Sequence, residues 1–211
     1  MTELYCVGNA FRGRCGVECI RDDQTIPLPI SISLPPSLRV TRICCGESHT
    51  LVATSSGALY AFGDNVAGQL GTGDSNFRSS PCLIELPAAA GISVRQTDEE
   101  DETFNQNAVV SVGCGSYHSA CVTATGAIYM WGETLYGKCG TAPSRPLLAP
   151  TQVMTSALLS AGVRQVACGA HHSICVDNSG KLYVVFFGSL IRGNHFFIVR
   201  LWNARSTWDR R

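Results

Sequence analysis

The sequence predicts an all-β protein that builds the same small four-stranded sheet several times. Three observations lead to this prediction. One pattern of Gly, His and Tyr recurs along the chain, the apolar runs are short and rich in β-branched and aromatic residues, and 21 of the 211 residues are glycine. Glycine above its usual share of ~7% indicates many tight turns. Short apolar runs between such turns are typical of β-rich folds.

The repeated pattern opens with Cys-Gly-x-x-His and closes, after a short turn, with an apolar residue, Tyr, two further residues and Gly. Three copies begin at Cys45, Cys114 and Cys168, and Leu4–Gly8 matches the end of a fourth copy. Copies of one sequence unit at near-regular steps indicate one structural unit per copy.

Each copy predicts a set of β-strands. Thr50–Thr54 and Ala58–Phe62 are joined by Ser-Ser-Gly, which is a hairpin signal. A preceding strand ends at each Cys-Gly, and an edge strand follows each glycine-rich loop, near Cys82–Leu86 and Thr151–Met154. Four-stranded sheets repeated radially form a β-propeller. The chain supplies about four units, two complete and two partial, so we predict an incomplete β-propeller.

The repeats are predicted to occupy residues 1–188, interrupted by an insertion at 88–107. The insertion contains the acidic run Asp98–Glu102, which favours a solvated loop, with a binding segment as the alternative. Phe186 stands where the pattern predicts glycine, and residues 189–211 form a divergent Arg-rich tail outside the repeat pattern.

The segment Gly57–Asp74, with its Gly-Gln-Leu-Gly stretch, resembles the repeat of the regulator of chromosome condensation family, as does the Cys-Gly-x-x-His motif. The resemblance covers residues 4–183. It implies a propeller that usually closes with seven blades, so this chain resembles a partial or truncated member. It also implies that the repeats serve as scaffolds for protein partners, while the best-known member suggests guanine-nucleotide exchange on a small GTPase.

We interpret the recurring residues as structural parts of each repeat, which set its turns, its packing and its core. A stacking platform for bases is the less favoured alternative for the tyrosines. The predicted structural set is Gly46, His49, Gly57, Tyr60, Gly63, Gly68, Gly71, Gly115, His118, Gly126, Tyr129, Gly132, Gly137, Gly140, Gly169, His172, Gly180 and Tyr183.

The sequence predicts no catalytic residue, no metal site and no cofactor. Cys45 and His49 look like a metal-binding or nucleophilic pair, but the same pair recurs in every repeat. Structural zinc needs four ligands at one point, and an active site should occur only once. No phosphate-binding glycine loop is present in the sequence. The eleven cysteines are read as reduced, largely buried thiols, with a disulfide framework as the alternative.

Sixteen Lys and Arg balance sixteen Asp and Glu, which argues against a general nucleic-acid binder. The N-terminus lacks the features of a secretory signal, and no apolar run is long enough to cross a membrane as a helix. We therefore expect a cytoplasmic or nuclear protein. The favoured function is a non-enzymatic scaffold that binds a protein partner through propeller faces. The alternatives are a guanine-nucleotide exchange factor for a small GTPase and a chromatin-associated regulator.

Overall fold

The computed structural model describes residues 4–16, 23–30, 39–90, 105–142, 145–153, 156–189 and 194–202. These residues confirm the all-β prediction, because they form fourteen β-strands, two short 3-10 turns and one six-residue helix, α1 (Ser156–Ala161). The strands make one two-stranded and three four-stranded antiparallel sheets. Within this described part of the chain, no helix combines the length and apolar character needed to span a membrane.

In every sheet, strands that follow one another in sequence are neighbours. Sheet 1 contains β1 (Leu4–Asn9) and β2 (Asp23–Ile30). Sheet 2 contains β3 (Val40–Cys45), β4 (His49–Thr54), β5 (Leu59–Gly63) and β6 (Arg78–Ile84). Sheet 3 contains β7 (Val109–Cys114), β8 (His118–Thr123), β9 (Ile128–Gly132) and β10 (Leu147–Gln152). Sheet 4 contains β11 (Val163–Cys168), β12 (Ser173–Asp177), β13 (Leu182–Ser189) and β14 (Asn194–Trp202).

The predicted hairpin between β4 and β5 forms around Gly57. The Gly57 amide donates to the Thr54 carbonyl at 2.9 Å, and the hydroxyls of Thr54 and Ser56 lie 2.9 Å apart. The φ of Gly57 is +81°, which explains the glycine at this position, because a Cβ disfavours that conformation. The hairpin of sheet 3 repeats the arrangement, with Gly126 at φ +83°.

The core lies between the faces of neighbouring sheets. The strand β7 packs against β3 and β4 on one side and against β11 on the other. Successive side chains of a strand point to opposite faces, so the middle sheet contributes to two core clusters. Cys121 and Trp131 belong to the cluster between sheets 2 and 3, whereas Val122 and Met130 belong to the cluster between sheets 3 and 4. Every residue of β8 and β9 is buried as a result.

Sheet 4 corrects the expectation that only two units are complete. The strand β13 continues past Phe186 to Ser189, and β14 pairs with it antiparallel. The residues of β14 come from the segment that the sequence analysis assigns to a divergent tail. A strand ladder uses backbone groups and does not need the repeat motif, and this stretch is rich in aromatic and β-branched residues. The structure therefore contains three complete four-stranded sheets, while the domain boundary at residue 188 stays a prediction.

The acidic run Asp98–Glu102 lies outside the described residues, but both ends of the predicted insertion are described. The backbone of Ala90 exchanges two hydrogen bonds with the side-chain amide of Gln152, at 2.7 and 2.9 Å. The Asn105 side chain donates to the Ser56 carbonyl at 3.3 Å. The insertion therefore leaves and rejoins the sheets at the end that carries their hairpins.

Candidate functional site

The recurring histidines connect neighbouring sheets. His49 of sheet 2 and His118 of sheet 3 are 2% and 0% exposed. The Nε2 atom of His49 lies 2.8 Å from Ser119 Oγ in sheet 3, and that of His118 lies 2.9 Å from Ser173 Oγ in sheet 4. Each buried histidine thus joins its sheet to the next one, through the serine that follows the next histidine of the motif.

The serine hydroxyls determine where the imidazole proton lies. Ser119 Oγ donates to the Gln69 carbonyl at 2.7 Å, and Ser173 Oγ donates to the Lys138 carbonyl at 2.8 Å. Because a hydroxyl has a single proton, each Oγ must accept its other bond from the histidine Nε2–H. This assignment leaves the proton off Nδ1, and Nδ1 of both His49 and His118 is buried without a hydrogen-bond partner.

Burial favours the neutral form of both imidazoles. Desolvation lowers the pKa of His49 to about 4. The same effect, reinforced by the positive charge of Lys138, lowers the pKa of His118 to about 3. Both side chains are therefore uncharged at neutral pH, which suits a structural link between sheets.

The glycine of the Cys-Gly-x-x-His motif makes room for the histidine. A Cβ on Gly115 would overlap the His118 ring and would lie 2.6 Å from the carbonyl oxygen of Gly169. Gly46 stands in the same relation to His49, and Gly169 to the exposed side chain of His172. This arrangement supports the structural interpretation of the motif and gives a physical reason for its spacing.

The other predicted structural residues lie at turns, at sheet contacts or in the core. Tyr129 is fully buried and its hydroxyl donates to the Pro87 carbonyl at 2.8 Å, while Tyr183 donates to Asp177 at 2.9 Å and Tyr60 is half-buried. The remaining glycines share a positive φ: Gly57, Gly63, Gly68, Gly71, Gly126, Gly132, Gly137, Gly140 and Gly180.

The end of the sheets opposite the hairpins carries two connections per repeat and forms the candidate site. We call it the loop face and define it as residues 10–16, 46–48, 64–77, 115–117, 133–142 and 169–172. Phe11, Val66 and Leu135 occupy the same repeat position, three residues after Gly8, Gly63 and Gly132. All three side chains are exposed, at 49%, 58% and 49%. The loop face therefore presents a row of exposed apolar side chains, one from each of the first three repeats.

The backbone next to this row is strained in two of the three loops. Arg12 and Tyr136 follow Phe11 and Leu135, and they have φ values of +53° and +62°. Non-glycine residues seldom adopt this conformation, and such strain tends to occur at functional sites. Tyr136 is 62% exposed, so it extends the apolar row.

Contacts between successive loops hold the loop face in place. Arg12 forms an ion pair with Asp64 of the next loop, at 3.1 Å. The ring of Tyr136 meets the ring of His171 edge-on, with centroids 5.6 Å apart. Loops that brace one another present their side chains in a fixed arrangement, which lowers the entropy cost of binding a partner.

The charged groups of the loop face are largely paired. Arg78 donates to Asp74 at 2.7 Å, and this bond is the main reason that the pKa of Asp74 falls to about 2. The fully buried Lys138 forms an ion pair with Glu133. The described residues include no group of three His, Cys, Asp or Glu side chains that could hold a metal ion. The exposed apolar side chains and the paired charges of the loop face are suited to surface recognition.

The apolar row was not predicted from the sequence, although the signal was present. An apolar residue recurs between the first two glycines of each loop, in the same register as the motif. The sequence does not show whether these side chains are exposed, and a recurring apolar residue is more often part of a core.

Comparison with known proteins agrees with the repeat pattern and the fold. The family model described as "Regulator of chromosome condensation (RCC1) repeat" matches residues 3–53, 56–122 and 125–176. The chain is 33% identical over 181 residues to the ultraviolet-B receptor UVR8 of Arabidopsis thaliana, covering 86% of this chain and 36% of that protein. It is 30% identical over 183 residues to the probable E3 ubiquitin-protein ligase HERC4 of Mus musculus, covering 86% of this chain and 15% of that protein.

Solved structures share the fold at lower identity. Human WBSCR16 superposes with a TM-score of 0.69 at 24% identity, covering 87% of this chain and 42% of that one. Yeast RCC1 (Prp20), solved with Kap60 bound, superposes with a TM-score of 0.70 at 20% identity, covering 96% of this chain and 45% of that one. The chain thus spans about a third or less of the two curated relatives and under half of the two solved chains.

Proposed function

Because the chain belongs to the regulator of chromosome condensation repeat family, we propose that it is a non-enzymatic protein-binding module that contacts its partner through the loop face. The observation that carries the proposal is the row of exposed apolar side chains, Phe11, Val66 and Leu135, at one repeat position. Apolar side chains clustered on a rigid surface and rimmed by polar groups mark protein interaction sites.

The loop face meets two requirements of a specific interface. It exposes the aromatic side chains of Phe11 and Tyr136 besides Val66 and Leu135. The apolar cores of interfaces are enriched in aromatic residues, and a few residues supply most of the binding energy. Several of its charged groups are paired within the face, as in Arg12–Asp64 and Lys138–Glu133, so a partner need not compensate these charges. The expected partner is a protein whose contact patch has an apolar centre.

The class of partner also agrees with what is described for a protein of the same fold. Yeast Prp20 has been studied for its binding to Gsp1p and to histones. For this chain we infer only the class of partner, which is a protein. Exchange on a small GTPase and association with chromatin are more specific alternatives, and the identity of the crosslinked protein, a GTPase or a histone, separates them. The cytoplasmic or nuclear location also stays a prediction.

The proposal is tested by photo-crosslinking from the loop face. A photoreactive amino acid at Val66 or Leu135 should crosslink to one protein, whereas the same group at Leu83 should not, because this equally exposed residue (56%) lies on the sheet edge. Equal crosslinking from Leu83 would count against the loop face.

A triple variant then measures the contribution of the apolar row. Replacing Phe11, Val66 and Leu135 by Ser should weaken binding of the crosslinked partner by at least about tenfold. The Leu83→Ser variant should bind as the unchanged chain does, and circular dichroism should be the same for both variants. Faster release of fluorescent nucleotide from a crosslinked GTPase would assign exchange activity, and stable binding without release would assign a scaffold.

A further inference from the structure

Two cysteines on the first strands of neighbouring sheets contact each other. Cys44 lies on β3 of sheet 2, and Cys114 ends β7 of sheet 3. The Cys114 amide donates to Cys44 Sγ at 3.1 Å, and the Cys114 thiol donates to the Cys44 carbonyl at 3.1 Å. These two contacts hold the two side chains next to each other across the boundary between the sheets.

We propose that Cys44 and Cys114 form a peroxide-sensitive thiol pair, in which a hydroperoxide oxidises Cys44 and Cys114 then closes a disulfide between sheets 2 and 3. The proposal does not depend on the function of the loop face.

The repeat pattern supplies an internal reference for the geometry. Cys114 is the recurring cysteine of the motif, whereas Cys44 is specific to sheet 2, since the equivalent residues are Gly113 and Ala167. A Cβ built on Gly113 would lie 3.0 Å from Cys168 Sγ in sheet 4. In a disulfide, each Cβ is roughly 3 Å from the partner sulfur, given the length of the S–S bond. The repeat therefore sets this position at crosslinking distance from the next motif cysteine.

The environments of the two thiols suit two different roles. Cys44 is partly exposed, so a small oxidant can reach it. The adjacent Cys114 side chain and the Cys114 amide, which donates to Cys44 Sγ, favour the Cys44 thiolate and lower its pKa to about 7. Cys114 is buried, and desolvation raises its pKa well above the ordinary value. A reactive, accessible thiol beside a second, protected thiol is the arrangement of redox-sensitive cysteines.

The chemistry balances in two steps. The Cys44 thiolate attacks one oxygen of the hydroperoxide, so that an S–O bond forms and the O–O bond breaks. Sulfur is oxidised to a sulfenic acid, and the peroxide is reduced to an alcohol, or to water from hydrogen peroxide, after taking up one proton. The Cys114 sulfur then attacks the sulfenic sulfur, and the hydroxyl leaves as water with the proton of the Cys114 thiol.

The test uses the full reduced chain treated with hydrogen peroxide, followed by alkylation and peptide mass spectrometry. The expected product is a Cys44–Cys114 crosslink that a dithiol reductant removes. Since Cys45 is adjacent and exposed, the Cys45→Ser variant should retain the crosslink, and so should Cys168→Ser. Cys44→Ser should lose it. Cys114→Ser should instead accumulate a sulfenic acid at Cys44, trapped by dimedone.

A gain-of-function variant keeps the proposal testable even if a serine variant fails to fold. Gly113→Cys places a thiol at the position equivalent to Cys44, so peroxide should produce a second crosslink, to Cys168. A folded, peroxide-treated chain that lacks the Cys44–Cys114 crosslink would overturn the proposal. So would crosslinks distributed equally over the other cysteines.

Discussion

Sheet 4 has a neighbouring sheet on one side and, within the described residues, none on the other. The same histidine motif is therefore covered in sheet 3 and uncovered in sheet 4. On the covered side, His118 of sheet 3 is fully buried against Ser173. On the opposite side, the equivalent His172 is exposed, and Ile174 is only partly buried where its counterpart Ala120 is fully buried. Within the described residues, no further sheet lies against that side.

The difference shows that the motif provides the space for the histidine ring, whereas the next sheet provides the burial and the hydrogen-bond partner. The glycine beneath the ring is present in both places, so the local backbone requirement is the same. Burial, the fixed tautomer and the serine partner appear only where a second sheet supplies them. Two copies of the same motif can therefore contribute very different amounts to the free energy of unfolding.

The largest expected effect comes from charging the covered histidines. Their folded pKa values, about 4 for His49 and about 3 for His118, lie below the ordinary value of 6.5. Between the folded pKa values and pH 6.5, the unfolded chain therefore binds more protons than the folded chain. The free energy of unfolding has its full value above pH 6.5 and decreases as the pH falls below it. At pH 5 the loss is about 2 kcal/mol for each histidine.

Urea unfolding at a series of pH values measures this loss. Replacing both His49 and His118 by Gln should remove most of the slope between pH 6.5 and pH 5. A slope of the same size in the double variant would show that other groups cause the pH dependence.

The next largest effect separates the covered from the uncovered histidine directly. His118→Ala leaves a buried cavity and removes the donor to Ser173, so the free energy of unfolding should fall by about 3 kcal/mol. His172→Ala removes an exposed side chain and should cost less than about 0.5 kcal/mol. Chemical denaturation at pH 7.5 compares the two, and equal losses would contradict the contrast drawn between the two faces.

A smaller effect is expected from the glycines of the same motif. The methyl group of Gly115→Ala would meet a buried ring and the Gly169 carbonyl, so the cost should be about 2 kcal/mol. In Gly169→Ala the methyl group meets the ring of exposed His172, which can rotate away, so the cost should be below about 1 kcal/mol. Thermal unfolding of the two variants provides the measurement. A lower melting temperature for Gly115→Ala than for Gly169→Ala is expected, and the reverse order would show that the neighbouring sheet does not determine the cost of the methyl group.

Local features of the fold were readable from the sequence. The hairpin at Ser-Ser-Gly was predicted because a positive φ at Gly57 is a property of the turn itself. The strand preceding each Cys-Gly was predicted because its apolar and β-branched residues form a short run. The completeness of sheet 4 was missed, since β14 pairs through backbone groups and carries no motif.

Features that depend on a second sheet were not readable. The motif suggested packing and hydrogen bonding for His49 but could not identify Ser119, which is distant in sequence, as its partner. The exposed row at Phe11, Val66 and Leu135 could not be separated from core residues, because recurrence gives a position and not its exposure. The contact between Cys44 and Cys114 also depends on how two strands approach each other.

By itself the sequence determined the repeating unit, because turns and strands follow from conformational preferences that each short segment carries alone. The tertiary structure alone decided which histidines are buried and neutral, which apolar side chains face solvent and which thiols meet. Those properties depend on the removal of water and on distances between sheets, and both arise only when separate repeats pack together.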